Sequence, residues 1–227
     1  MADFSYTGTA DQDALLDRVE YHSDLVLKNE QTIGADPKRV YENCVTGMQH
    51  VLNGAQRHAL DEEATSGAGQ AVSNDRSYTE IVLPEDFLMF MELILPGWKK
   101  HIAQLTDRED RRVDLQYEAA TRADPQHPLA TKVPAPGDAS GQKLRCWPQD
   151  SGPSIEAFTY VPEKPPEEVG GTLREPITMW GAYYTMAAGK YEGAATMQQA
   201  AIIYLRSLNA GERMTAAEAV RQAEQDS

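Results

Sequence analysis

Five histidines (22, 50, 58, 101 and 127), the cysteines Cys44 and Cys146, and 35 acidic side chains are the groups in this 227-residue chain able to move a proton, hold a metal or attack a carbon. Spacing decides what they can do. Among the histidines, only His58-x-x-x-Glu62 has a second metal-ligand type four residues away, on one face of a possible helix, and no cysteine or third carboxylate is placed to complete a coordination shell. That pair reads as a solvated polar face. His50, one turn before Gly54, reads as a solvent-facing residue near a helix C-terminus, where a cation is favoured. The acid runs Asp61-Glu62-Glu63 and Glu167-Glu168 have no apolar pocket residues around them to shift a pKa, so they also read as solvated. A Gly-rich phosphate loop, a nucleophile elbow and a metalloprotease helix motif are all missing. Gly189-x-x-x-Gly193 has the spacing of a helix-contact motif, but outside a membrane segment it reads as a helix break. The expectation is no catalytic, metal or cofactor site, and an enzyme is the least favoured class.

The charge balance narrows the partners. Thirty-five acids against 21 bases give a formal net charge of −14. Such a surface repels phosphate backbones and anionic membranes, which excludes a phosphate-tracking DNA binder. An acidic wall along which DNA slides without sticking stays compatible. Residues 1–36 alone hold eight acids and two bases. Two cysteines make no disulfide framework, and Cys44, among apolar helix positions, reads as a small core residue. Met1–Ala10 is short and polar, and no apolar run approaches about 18 residues. The sequence thus predicts a soluble protein made in a reducing cytoplasm.

These groups must be positioned by elements that the periodicity predicts. Leu15, Leu16, Val19, His22, Leu25 and Val26 recur at helical steps over Asp11–Glu30. Asp36-Pro37 supplies an N-cap and a proline at the first helical position. A second stripe follows, from Val40, Tyr41 and Cys44 to Met48, Val51 and Leu52, and Gly54 stops it. The two helices are expected to pair as an antiparallel hairpin through the short Thr32–Ala35 link. Ser66–Arg76 reads as a polar loop and Tyr78–Leu83 as a strand. After Pro84 the dense apolar run fits either a helical face or an alternating strand. The reading preferred is a helical turn at Pro84–Phe87, a strand over Leu88–Leu95, and a Pro96-Gly97 turn. Residues 106–142 carry alternating charges, four prolines and few large apolar side chains (Val113, Leu115, Tyr117, Leu129, Val133). They read either as a loose surface loop or as an extended arm ordered by a neighbouring subunit. Short strands are expected at Lys143–Trp147 and Ser154–Val161. Thr172-x-x-Glu175 has the capping-box form ahead of a stripe of Ile177, Trp180, Tyr184, Ala187, Ala188 and Tyr191. A helix over Ala194–Leu208 follows, and residues 212–227 read as a short helix that frays. The fold class expected is α+β, in one domain over 1–227: an N-terminal helix pair and C-terminal helices packed around a small antiparallel β-element, with a long Pro-rich arm.

Leu83-Pro84-Glu85-Asp86-Phe87-Leu88, followed about ten residues later by Gly97-Trp98-Lys99-Lys100, resembles a pattern in the neck proteins of tailed phages. These are the head-to-tail connector or adaptor proteins, especially of crAss-like and related Bacteroidetes phages. The order of parts over roughly residues 10–210 is similar as well, down to a strand ending near Tyr160-Val161-Pro162 and Tyr/Ala-rich helices with Trp180, Ala182, Tyr183 and Tyr184. The Met-rich central strand and the acid-rich first helix depart from that pattern. The resemblance implies a virion structural protein without enzymatic activity. Its copies would form a homo-oligomeric ring, in the family commonly a dodecamer, docked under the portal protein. It would extend the DNA channel, let genomic DNA pass without specific binding, and offer a platform for the next neck or tail ring.

Structural and interface candidates follow from both lines. Phe87, Trp98, Trp147, Trp180 and Tyr184 are read as core anchors, with inter-subunit contacts as the alternative because aromatic side chains concentrate interface energy. Lys99 and Lys100 form the one adjacent basic pair near the central segment, suited to a neighbour's acidic helix surface. The competing expectation is a non-enzymatic helical module whose acidic face binds a basic partner.

Overall fold

In the computed structural model the described residues are 4–27, 34–60, 63–67, 72–74, 78–118, 120–135, 137, 141–149 and 154–226. In chain order the elements are α1 (Ala10–Asp24), α2 (Pro37–Gly54), β1 (Glu63–Gly67), β2 (Val72–Asn74), β3 (Thr79–Val82), β4 (Phe87–Ile94), α3 (Arg111–Asp114), β5 (Leu129–Pro134), β6 (Gln142–Trp147), β7 (Ile155–Pro162), α4 (Gly171–Gly189), α5 (Ala194–Asn209) and α6 (Ala216–Gln225), with 3-10 turns at Arg57–Ala59 and Leu115–Tyr117. The class is α+β. Contacts divide the chain into two compact units where the sequence reading expects one domain. One is built from both ends of the chain, Met1–Asp61 with Lys164–Ser227, and the other from Glu62–Glu163.

The end-built unit is all helical. α4 is its hub, with Leu173, Ile177, Met179, Trp180, Ala182 and Met186 buried. α1 and α2 each lay their apolar stripe on α4 and touch each other far less, so the expected α1–α2 hairpin is replaced by two contacts on a common third helix. The physical reason is a close approach of backbones. A Cβ on Gly47 of α2 would lie 2.9 Å from Trp180 Cβ and 3.0 Å from the Ile177 carbonyl oxygen; one on Gly181 of α4 would lie 2.7 Å from Cys44 Sγ. Thr32 and Ile33 of the link proposed for the hairpin lie outside the described residues.

Helix ends follow local chemistry in most places. Thr9 and Asp36 cap α1 and α2 through their side chains, and Pro37 opens α2 as predicted. The box form at Thr172-x-x-Glu175 is not used: α4 starts at Gly171 with no side-chain cap, and Pro176 lies inside it. The capping box that does form is Thr215–Glu218, heading α6. Instead of fraying, α6 buries Ala216, Ala219, Val220 and Ala223 and packs on α5. α4 ends at a left-handed Lys190, and Gly193 (φ 92°) precedes α5, so the Gly189-x-x-x-Gly193 spacing is a helix break.

The other unit holds two antiparallel sheets, ordered β1-β7-β4 and β2-β3-β6-β5. β3 and β4 fall close to the predicted spans. The expected polar loop over Ser66–Arg76 is interrupted by β1 and β2, and its remaining residues lie outside the described ones. Alternation puts Ile81, Leu144, Cys146 and Ala130 of the second sheet into one core with Leu93, Phe158 and Tyr160 of the first. Trp98, Leu95 and Ile102 close that core.

The largest correction concerns residues 106–142. Rather than an arm reaching outward, this segment completes its own unit. β5 pairs with β6 from Leu129↔Trp147 to Pro134↔Gln142, and Thr106 bridges to Thr131. α3 and the following 3-10 turn cover the outer face of the same sheet, where Val113 packs with Leu129 and Trp147. Asp110 caps α3 and pairs with Arg112, so part of the charge-rich run is local capping.

Candidate functional site

The aromatic candidates fall into separate clusters. Trp98 follows the turn after β4, is buried, and donates from Nε1 to the Pro148 carbonyl oxygen (3.2 Å). Trp147 is fully buried, edge-on to Tyr78 (5.9 Å) and Tyr117 (6.0 Å). Phe87 is half-buried and stacks on Phe158 (6.2 Å) and Tyr160 (6.0 Å). All three sit in the β-unit. Trp180 is buried in the helical unit, against Tyr183, Tyr184 and an exposed His50 whose ring lies 4.0 Å away. The tryptophans are therefore core anchors, while Phe87 and Tyr184, both half-buried, keep some surface in water. Lys99 and Lys100 are exposed, with the Lys99 amide donating to the Pro125 carbonyl oxygen (2.8 Å).

Both cysteine thiols are sequestered. Burial pushes the Cys44 thiol up to about 12, with the Glu167 carboxylate adding to it, and burial raises Cys146 further. Neither is a thiolate at neutral pH. His22 is buried, while His101 and His127 are exposed and lie 3.5 Å and 3.2 Å from Glu92 and Asp124. His58 sits in the 3-10 turn after α2, 3.2 Å from the Leu208 carbonyl oxygen, and its proposed partner Glu62 lies outside the described residues. Among the described residues, no three His, Cys, Asp or Glu side chains converge where a metal could sit. No helix among them is long and apolar enough to cross a membrane.

Two polar clusters escaped the sequence reading. Glu167, expected to be solvated, accepts from Gln12 Nε2 (2.9 Å) and from the Tyr41 hydroxyl (2.8 Å). Gln12 and Tyr41 are 4% and 1% exposed, so this carboxylate ties α1 and α2 to the segment ahead of α4. Burial and that carboxylate push the Tyr41 phenol well above its usual range. The second cluster stands on the outer face of the β2-β3-β6-β5 sheet. Register places Arg145 directly opposite Glu80 on one side and Thr131 on the other. Glu80 accepts from Lys143 Nζ (2.5 Å) and Arg145 Nη2 (3.0 Å), and Arg145 Nη1 donates to the Tyr117 hydroxyl (2.8 Å). The guanidinium carbon also lies 4.2 Å from the Tyr78 ring centroid.

Glu80 is thus the shared counter-ion of two half-buried cations. Glu80→Gln leaves its shape in place and removes the charge, stranding both cations. The expected result is a loss of about 2 kcal/mol, read as a lower urea midpoint with an unchanged m-value. A midpoint equal to wild type would show that the pair is balanced by solvent instead.

No protein-family model matches this chain, and no curated protein matches its sequence.

Proposed function

We propose that the chain is a structural subunit of a tailed-phage neck, a ring-forming head-to-tail adaptor docked under the portal and lining the DNA channel. The observation that carries the reading is the order of parts. Helices from the two chain ends form one unit, and the β-unit bearing Leu83–Leu88 and Gly97–Lys100 is inserted between α2 and α4. The two halves of the quoted motif stand at the two ends of β4, as turns that enter and leave it. The acidic excess suits a conduit through which DNA passes unheld. Residues 106–142 add nothing to this reading, because they fold against their own sheet instead of reaching for a neighbour.

In this reading Lys99 and Lys100 meet an acidic surface of the next copy, in a heterologous contact that closes by rotation. Negative-stain images and native mass spectra of the purified full chain are expected to show closed rings, and purified virions to contain the protein in the neck. Lys99→Glu with Lys100→Glu reverses both charges at exposed positions; it is expected to leave circular dichroism unchanged and to shift rings to monomers. A protein that stays monomeric at every concentration and is absent from particles would refute the proposal. So would a charge-reversed variant assembling as well as wild type, for this contact.

A further inference from the structure

The outer face of the β2-β3-β6-β5 sheet encloses more than an ion cluster. Between that face and the α3–Tyr117 segment lies a cavity of about 360 Å³. Arg108 and Arg145 both line it, as do Tyr117 and Thr131. Val113, Val133 and Pro134 supply an apolar wall. Five of its eight lining residues, Asp114 among them, are polar or charged, and the size with several convergent polar side chains suits a small polar ligand.

The polar groups there are short of acceptors. Thr131 is 1% exposed, yet its Oγ1 has no hydrogen-bond partner among the described residues. A buried hydroxyl left so is costly unless something else bonds to it. Arg145 spends Nε and one N–H of Nη2 on Glu80, and one N–H of Nη1 on Tyr117. A guanidinium has five N–H, so one on each terminal nitrogen remains. The Tyr117 oxygen accepts from Arg145, which turns its own proton outward as a donor. Charge points the same way. Lys143 and Arg145 share Glu80, and the cavity lining adds Arg108 and, at the exposed rim, Asp114, so these groups carry three cations against two anions in a chain whose net charge is −14.

We propose that this cavity binds a small phosphomonoester. The phosphate oxygens accept from Arg108, the remaining N–H groups of Arg145, and the hydroxyls of Tyr117 and Thr131. The organic body lies against Val113, Val133 and Pro134. Arginine forks match a phosphate bidentately, and several donors arriving from the segments on either side of α3, from β5 and from β6 suit a tetrahedral oxyanion with three terminal oxygens. The site lies wholly within the β-unit and is independent of ring assembly.

Phenyl phosphate is the probe, titrated into the full chain while thermal midpoint and tryptophan emission are followed; Trp147 lies beside Tyr117 and reports on the site. The expected result is a saturable rise in midpoint. Arg108→Ala, at an exposed position, weakens the apparent affinity about tenfold. Thr131→Val keeps the side-chain shape and removes the unpartnered hydroxyl. Without ligand its midpoint equals or exceeds that of wild type, and its affinity falls about fivefold. Three outcomes overturn the proposal: no saturable response, an equal response to phenylacetate at matched ionic strength, or full wild-type affinity in both variants.

Discussion

Gly47→Val is expected to unfold the helical unit or to lower its stability by about 3 kcal/mol or more. Gly47 is where α2 crosses α4. Its missing side chain is filled by Trp180 Cβ at 2.9 Å, the Ile177 carbonyl oxygen at 3.0 Å and the Gly181 amide at 3.2 Å, all measured from where a Cβ would stand. Two of these are backbone atoms, and the third is anchored by a buried indole. None can swing aside as the end of a flexible side chain could. The reciprocal position, Gly181, is filled by Cys44 Sγ at 2.7 Å. A valine at 47 therefore separates the helices, and separation opens the packing of Cys44, Met48, Val51 and Trp180 together. Gly47→Ala is expected to show the same sign with a smaller loss. Gly34→Ala, with nothing within 4 Å of its added carbon, serves as the control. Chemical denaturation followed by helical circular dichroism reads all three. A Gly47→Val protein as stable as the Gly34→Ala control would mean that the helices do not cross at this glycine.

That contact also marks what sequence can disclose. α2 was readable because its signals are local: Asp36-Pro37 at the start, a stripe from Val40 to Leu52, Gly54 at the end. Its partner was not, because a glycine inside a helix announces an exception without saying which helix comes close. Gly189 and Gly193 carried the familiar spacing and serve as a break, while Gly47 and Gly181, far apart in sequence, make the contact. Glu167 shows the same limit: its partners Gln12 and Tyr41 are 155 and 126 residues away, so nothing beside it in the chain hinted at a buried role. Residues 106–142 differ from their sequence expectation for another reason. The large apolar residues there are few, but β5 alternates Leu129 and Val133 with Ala130 and Lys132, and Val113 of α3 packs with Leu129 and Trp147. Three well-placed side chains and a strand ladder hold a segment that composition alone describes as an arm. The cavity lies under that same segment. Of its polar walls, Thr131 and Arg145 become neighbours through the β5–β6 register, and Arg108 and Tyr117 join them through the segment around α3.

Acidification from about pH 6.5 to about pH 4 is expected to remove about 3 kcal/mol from the helical unit through His22 alone. The side chain is 1% exposed, between α1 and α4. Its Nε2 lies 3.0 Å from Thr178 Oγ1, and that hydroxyl donates to the carbonyl oxygens of Arg174 and Glu175. The hydroxyl oxygen is therefore the acceptor, and the proton of the neutral ring sits on Nε2. The basic lone pair is left on Nδ1, which is buried with no partner among the described residues. A second proton would have to enter there with nothing to receive it. Burial, with a smaller contribution from Arg18, lowers the pKa from 6.5 to about 4. Glu175 is only 3.7 Å from Nε2, which by distance alone would favour the imidazolium, but its carboxylate is engaged by Arg18. The sign follows. Between about pH 6.5 and about pH 4 the unfolded chain binds a proton that the folded chain refuses, so stability is complete above that window and falls as pH drops through it. His22→Leu keeps the bulk, adds no charge, and removes the proton uptake. Urea unfolding at a series of pH values should give a wild-type stability that declines through the window by about 1.4 kcal/mol per pH unit more steeply than that of the variant. Parallel declines in the two proteins, or a His22 ring resonance titrating near 6.5 in the folded state, would show that the imidazole reaches water and is not held neutral by its burial.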